Sequence, residues 1–281
     1  KPNKKEVEKL VKLLRPSIES PCKSLSFKEE INSDLIKFTT EQFTALDMME
    51  GNHRLIFNGA AGTGKTFIGI ESALRAAIQG KKVLFVCMNK LLSEMLSTSI
   101  DNQNIKVTTL HALLRKFDPA ASEDTSIYWE TDLPQICYFN MLEQLKDDDT
   151  YDLLIVDEAQ DIIGNELWLD CLDLVLKDGL SNGKWHFFGD LSYQSIYNHN
   201  MSELELLENI QKRNLNNSTV TLNKNCRNVE TSARLSMTLA HIQSPYKSYL
   251  RNSKSIIDSK MQIFVSEEDQ VKKIILTINK C

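Results

Sequence analysis

Asn58-Gly59-Ala60-Ala61-Gly62-Thr63-Gly64-Lys65-Thr66 is the stretch on which the fold turns. Gly59 to Thr66 fits G-x-x-x-x-G-K-[ST], the spacing of a phosphate-cradling loop. Its glycines let successive backbone N–H groups turn inward around phosphates, and a helix opening behind them adds partial positive charge. In such a loop Gly59, Ala60, Ala61, Gly62, Thr63, Gly64, Lys65 and Thr66 together hold a nucleotide. Lys65 reaches the β- and γ-phosphates, and the Thr66 hydroxyl ligates Mg2+. The motif needs a strand before it and a helix after it. Leu55–Asn58 is a short apolar strand, and Phe67–Gln79, closed by Gly80, reads as the helix. That context disfavours the alternative, a Gly-rich turn followed by an accidental Lys-Thr.

The same rhythm continues downstream. Strands are expected at Val83–Cys87, Lys106–Thr108, Leu153–Val156, Trp185–Phe188 and Val220–Leu222, and helices at Leu91–Ser97, Leu110–Phe117 and Leu167–Leu176. Continuous apolar strands separated by helices predict an α/β protein, a parallel sheet with helices on both faces. Residues 118–150, with Pro119, Pro134 and Asp147-Asp148-Asp149, read as a small surface insertion carrying one helix near Ile136–Leu145. Upstream, residues 1–37 read as a helix over 5–14, another near Phe27–Ile36 and a polar linker. Beyond Arg227 a helix runs to about Ile242. A strand at Met261–Val265 and a helix from Glu267 follow, with Ser266 and Asp269 as a capping pair. This is the start of a second unit, placed at 226–281 after a first domain at 38–225.

A second motif supplies acid. Tyr151-Asp-Leu-Leu-Ile-Val-Asp157-Glu158-Ala-Gln-Asp161 puts two carboxylates directly after a buried strand, at the sheet edge where ligands of parallel sheets bind. Asp157 would hold Mg2+ through water, and Glu158 would orient or deprotonate an attacking water. The plainer alternative is that the acids only solvate a strand end. Asp161 either joins this chemistry or caps the following helix.

Taken together, these segments resemble superfamily 1 DNA helicases of the UvrD/Rep type, and most of all the short helicases that follow a nuclease-related domain. Asp-Glu-Ala-Gln-Asp at 157–161 looks like their motif II, and Phe38-Thr-Thr-Glu-Gln42 like their Q motif, whose glutamine reads the adenine edge. Phe85-Val-Cys-Met-Asn89-Lys90 resembles motif Ia, and Thr108-Thr-Leu-His111 the segment after it; both face single-stranded DNA in the family. Phe188-Gly189-Asp190-Leu-Ser-Tyr-Gln194-Ser-Ile-Tyr197 resembles motif III, and Leu222-Asn-Lys-Asn225-Cys226-Arg227 motif IV. The resemblance, which covers roughly residues 38–230, implies a RecA-like P-loop NTPase domain followed by an incomplete second one.

It further implies ATP and Mg2+ as cofactors. Lys65, Glu158, Gln194 and Arg227 would act catalytically, Gln42 would bind the base, and Thr66 and Asp157 the metal. Asn89, Lys90, His111 and Tyr197 would face the strand, DNA or RNA. Taken apart from the resemblance, His111 reads equally as a partly buried histidine and Lys90 as a solvated helix start. Three departures stand out: Leu191, Ser192 and Tyr193 intervene between Asp190 and Gln194 where the family has two residues. Asn198-His199 replaces a stacking Trp or Phe, and Cys226 replaces a stacking Tyr.

Composition bounds the rest. The 281 residues are 42% hydrophobic and 25% charged, an ordinary globular balance, with net charge −5. A dedicated duplex-DNA binder is usually strongly basic, so charge alone recruits no duplex. No apolar run reaches the roughly 18 residues of a membrane span. Six cysteines without a C-x-x-C pair fit buried free thiols of a reducing, cytoplasmic setting. The chain starts at Lys1 and reads as a piece of a longer protein, with an upstream nuclease domain as one partner.

The expected function is that of an ATP-dependent single-strand translocase or helicase core. The alternative is a P-loop sensor that gates an attached effector such as a nuclease. With so little of the second unit, Arg227 is not expected to reach the γ-phosphate, and the chain alone is expected to hydrolyse ATP hardly at all.

Overall fold

The computed structural model describes residues 42, 46–47, 51–118, 125, 127–192, 201–213, 216–239, 241–251 and 264–278. The helices expected over 5–14 and near Phe27–Ile36 lie outside the described residues. So do Gln194, Tyr197 and the Asn198-His199 pair.

The predicted sheet is there. Its strands are β1 (Arg54–Gly59), β2 (Val83–Cys87), β3 (Ile105–Thr109), β4 (Leu153–Asp157), β5 (Lys184–Gly189) and β6 (Ser218–Leu222). They pair in the order β3-β2-β4-β5-β1-β6, every pair parallel. Strand alternation sorts the apolar side chains onto two faces. Leu55, Phe57, Val83, Phe85, Leu153, Ile155 and Phe188 meet helix α1 (Lys65–Ile78) and helix α2 (Lys90–Ser99). Ala73, Ala76 and Ala77 let α1 lie close on the sheet, where Phe57 and Phe188 stack with centroids 4.7 Å apart. On the other face Ile56, Leu84, Val86, Leu154, Val156, Trp185 and Phe187 meet α3 (Leu110–Leu114), α4 (Leu133–Gln144), α5 (Glu166–Val175) and α7 (Glu203–Gln211). The short α6 (Gly179–Asn182) leads into β5. Both faces are therefore covered, which is why the central strands β2 and β4 are buried and apolar almost throughout.

Several expectations need correction. The insertion helix is not merely superficial: Leu133, Cys137 and Met141 of α4 are fully buried, and α4 packs along α5. A π-helical turn at Tyr128–Asp132 leads into α4. Helix α3 stops at Leu114, with Lys116 and Phe117 in a following turn. Helix α7 escaped the sequence reading although Ser202 and Glu205 form a reciprocal capping box at its start. Asp161 does not cap α5. It lies buried in the tight turn Ala159–Asp161, and Asn165 caps the helix through the Leu167 and Trp168 N–H groups.

The second unit is a parallel pair, β7 (Lys224–Val229) and β8 (Ser248–Arg251), joined by α8 (Glu230–Leu239). The six-stranded sheet ends at Leu222 and the two-stranded one begins at Lys224, so the join falls at Asn223, slightly before the predicted boundary. Of the strand expected at Met261–Val265, Phe264 and Val265 are not in strand conformation, and Val265 is exposed; the rest lies outside the described residues. Helix α9 (Glu267–Ile278) starts as expected, with Ser266 Oγ accepting from the Asp269 N–H at 3.2 Å.

Candidate nucleotide site at the carboxyl edge of the sheet

The loop after β1 turns as its glycines allow. Gly62 and Gly64 have φ of 82° and 86°, in the left-handed region that favours glycine. A Cβ on Gly59 would come within 2.8 Å of Thr63 Oγ1, and one on Gly62 within 3.0 Å of Arg227 Cβ. Thr63 ties the loop by donating from Oγ1 to the Ala60 carbonyl at 2.8 Å. Lys65 is buried, with Nζ donating to the Gly59 and Ala60 carbonyls at 2.7 and 3.3 Å. Burial lowers its pKa, while the carboxylates of Glu158, Asp190 and Asp157 oppose the drop.

The two motifs meet through one bond. Thr66 Oγ1 donates to Asp157 Oδ2 at 2.6 Å. In the sheet β5 lies between β4 and β1. Helix α1 spans the gap, passing from the loop over β5 and β4. Asp157 is fully buried, and desolvation pushes its carboxyl up to about 6 against the Thr66 hydrogen bond; Glu158 adds to the rise.

Glu158 sits in the left-handed region at φ 53° and ψ 45°, a conformation that costs a non-glycine residue about 1 kcal/mol or more. Gln160, buried in the next turn, donates to Glu158 Oε2 at 2.9 Å and accepts the Asp190 N–H at 3.0 Å. It thereby joins the acidic turn to the end of β5. At that end Leu191 N donates to Asn58 Oδ1, Asn58 donates to Glu203 Oε1, and Ser192 donates to Glu203 Oε2. Asn58, Gln160 and Glu203 were missed as site residues. Asn58 immediately precedes the loop and Gln160 lies within the quoted acidic motif, but neither residue type announces a bridging role. The Ser202–Glu205 box could have located Glu203.

Gln42 is buried beside the loop, with Nε2 donating to the Thr63 carbonyl at 2.7 Å. Its buried Oε1 has no hydrogen-bond partner among the described residues. The second unit also reaches the loop. Cys226 N donates to the Gly62 carbonyl at 2.8 Å and Tyr246 Oη to the Ala61 carbonyl at 2.7 Å. Buried Asn225 accepts the N–H groups of Arg227 and Asn228. The β7 backbone is thus bonded to the loop, and Arg227 lies next to Gly62 with its side chain exposed. Tyr246, nineteen residues past the quoted motif, gave no signal in sequence.

Asn89, Lys90 and His111 follow β2 and β3 at the far end of the same edge, and Tyr197 lies outside the described residues. Asn89 caps α2, its Oδ1 accepting the Leu92 N–H at 3.1 Å, so one of its polar groups serves the helix. Lys90 is exposed, with Nζ 3.9 Å from Glu94. His111 sits edge-on to Trp129 and Trp168, and burial lowers its pKa.

As a donor set, the site fits a phosphorylated ligand with a hard cation. A hydroxyl and a carboxylate, both oxygen donors of the kind Mg2+ takes, stand 2.6 Å apart at the end of the phosphate loop, the hydroxyl being that of the residue after Lys65. Among the described residues no cluster of three His, Cys, Asp or Glu could hold a metal alone. A site of this kind draws its remaining ligands from phosphate and water. No described helix is long and apolar enough to cross a membrane.

Comparison with known proteins gives the context. No curated protein matches the chain. The crystal structure of the Pif1 helicase from Candida albicans is similar at a TM-score of 0.40 and 17% identity, over 65% of this chain and 39% of that one. A sequence profile described as "Schlafen group 3, DNA/RNA helicase domain" matches residues 52–267. The match takes in the phosphate loop, the acidic strand, the whole six-stranded sheet and the β7–β8 pair. The chain thus belongs to the Schlafen group 3 DNA/RNA helicase-domain family.

Proposed function

We propose that this chain is the nucleotide-binding core of an ATP-dependent motor that moves on single-stranded nucleic acid, hydrolysing ATP with Mg2+. One observation carries the reading: the 2.6 Å contact between Thr66 and Asp157. It joins the phosphate loop to the acidic strand in the arrangement that positions a metal between protein oxygens and a triphosphate.

The residues divide the work by position. Loop N–H groups and Lys65 hold the β- and γ-phosphates, and Lys65 exchanges its two carbonyl partners for phosphate oxygens. Thr66 and Asp157 hold the cation, which when bound neutralises charge that develops on the transferring phosphoryl group. Glu158, steadied by Gln160, orients the attacking water and takes its proton. Gln42, tied to Thr63, offers its free acceptor oxygen to the base. Arg227 approaches from the second unit and meets the γ-phosphate. The link from Glu158 through Gln160 to Asp190, which precedes Gln194 and Tyr197 in sequence, is the route by which hydrolysis would move the strand held by Asn89, Lys90 and His111.

Steady-state ATP turnover by the full-length protein, with and without homopolymer single strands at low salt, tests this. Single strands should stimulate turnover, and Lys90→Ala with His111→Ala should blunt the stimulation. Turnover indifferent to single strands would instead favour a sensor that gates an attached effector.

A further inference from the structure

Beyond His111 the carboxyl edge carries a side-chain cluster that no motif above contains. Trp129, half-buried in the turn before α4, meets the His111 ring at 4.6 Å and 74°, and the Tyr128 ring at 5.9 Å and 76°. Its backbone is anchored from below, because buried Trp168 donates Nε1–H to the Trp129 carbonyl at 3.1 Å. Asn165, the cap of α5, donates to the neighbouring Glu130 carbonyl at 2.7 Å. Above the indole lies Arg115, exposed, with its guanidinium carbon 4.6 Å from the ring centroid. Among the described residues no ion pair engages it.

We infer that Arg115 and Trp129 form a stacking platform for one base of a single strand laid over the carboxyl ends of β2 and β3. An indole held rigid from beneath limits the freedom of a guanidinium set over it, and that planar cation offers one face to a base and its N–H edge to a phosphate. Bases and guanidinium planes stack on aromatic rings in sequence-tolerant single-strand grooves. A surface arginine that served only folding would ordinarily seek a carboxylate, plentiful in a chain of net charge −5. Arg115 sits beside His111 instead, at the end of the edge where the strand enters the proposed reading. The inference rests on that reading, since it names a further contact for the same strand.

Fluorescence anisotropy with labelled oligo(dT), oligo(U) and an abasic oligonucleotide of equal charge tests it on the full-length protein. Trp129→Leu and Arg115→Ala should each bind the oligomers about ten-fold more weakly, on the scale of one lost base stack. Arg115→Lys should be nearly as weak as Arg115→Ala, because it keeps charge but loses the plane. Wild type should discriminate against the abasic chain more than either variant does. Arg115→Lys, a surface change, guards against misreading an unfolded Trp129→Leu, and thermal melts check both. If the Arg115 and Trp129 variants bind as wild type while Lys90→Ala weakens binding, the pair only fastens the α4 segment to α3 and this inference falls alone. If wild type binds no oligonucleotide at low salt, the strand-motor reading falls with it.

Discussion

Replacing Asp157 by Asn should stabilise the metal-free protein while destroying its metal-dependent function. Asp157 is fully buried, and its carboxyl is raised from 3.8 to about 6, burial being the main cause. The folded state therefore holds the proton more tightly than the unfolded chain. The stability this gives is fully present below about pH 4, is lost as pH rises from about 4 to about 6, and stays lost above. At pH 8 the ionised carboxylate costs about 3 kcal/mol, to order of magnitude. Asparagine removes that cost and can keep both contacts, accepting the Glu158 N–H and donating to a rotated Thr66 hydroxyl. The melting temperature of Asp157→Asn should exceed wild type by about 5–10 °C at pH 8 with chelator present, on the usual scale for domains of this size. The gain should shrink to a third or less near pH 4.5. Mg·ATP should raise the wild-type melting temperature by mass action and leave the variant unmoved. A variant less stable than wild type at pH 8, or a difference independent of pH, would refute the reasoning.

Glu158→Gln should retain Mg·ATP binding and lose most turnover, about 10²-fold or more if Glu158 serves as the base; rapid-quench measurement of the cleavage step checks this, and an unchanged rate would move the role elsewhere. Gln160→Leu should keep nucleotide affinity but uncouple it from the strand, so that ATP turnover loses its single-strand stimulation. A variant stimulated as wild type would show that the Glu158–Gln160–Asp190 bridge is structural only.

What was legible in the sequence follows from where the information is local. Strands such as Val83–Cys87 are buried on both faces, so their apolar run is its own signature, and the loop glycines are dictated by backbone angles that other residues resist. Strand order is not local. That β5 separates β4 from β1, and that α1 carries Thr66 across to Asp157, depends on which strands pair. Strands β7 and β8 of the second unit gave no signal for a similar reason: they are short and half-exposed, with none of the apolar continuity of the central strands. The acidic motif announced Glu158, but the polar bridge through Gln160 and the Asn58–Glu203 pair joins residues up to 145 positions apart. Only the folded chain brings Tyr246 to Ala61, or sets Arg115 over Trp129.

Everything proposed for this chain depends on Lys65 and the loop around it binding a nucleoside triphosphate. Titration calorimetry of Mg·ATP into wild type and Lys65→Ala, with circular dichroism to show that both are folded, measures this. One binding site per chain should be seen in wild type and a strong loss of affinity in the variant. Equal affinity in the two proteins, or no binding by folded wild type, would contradict it.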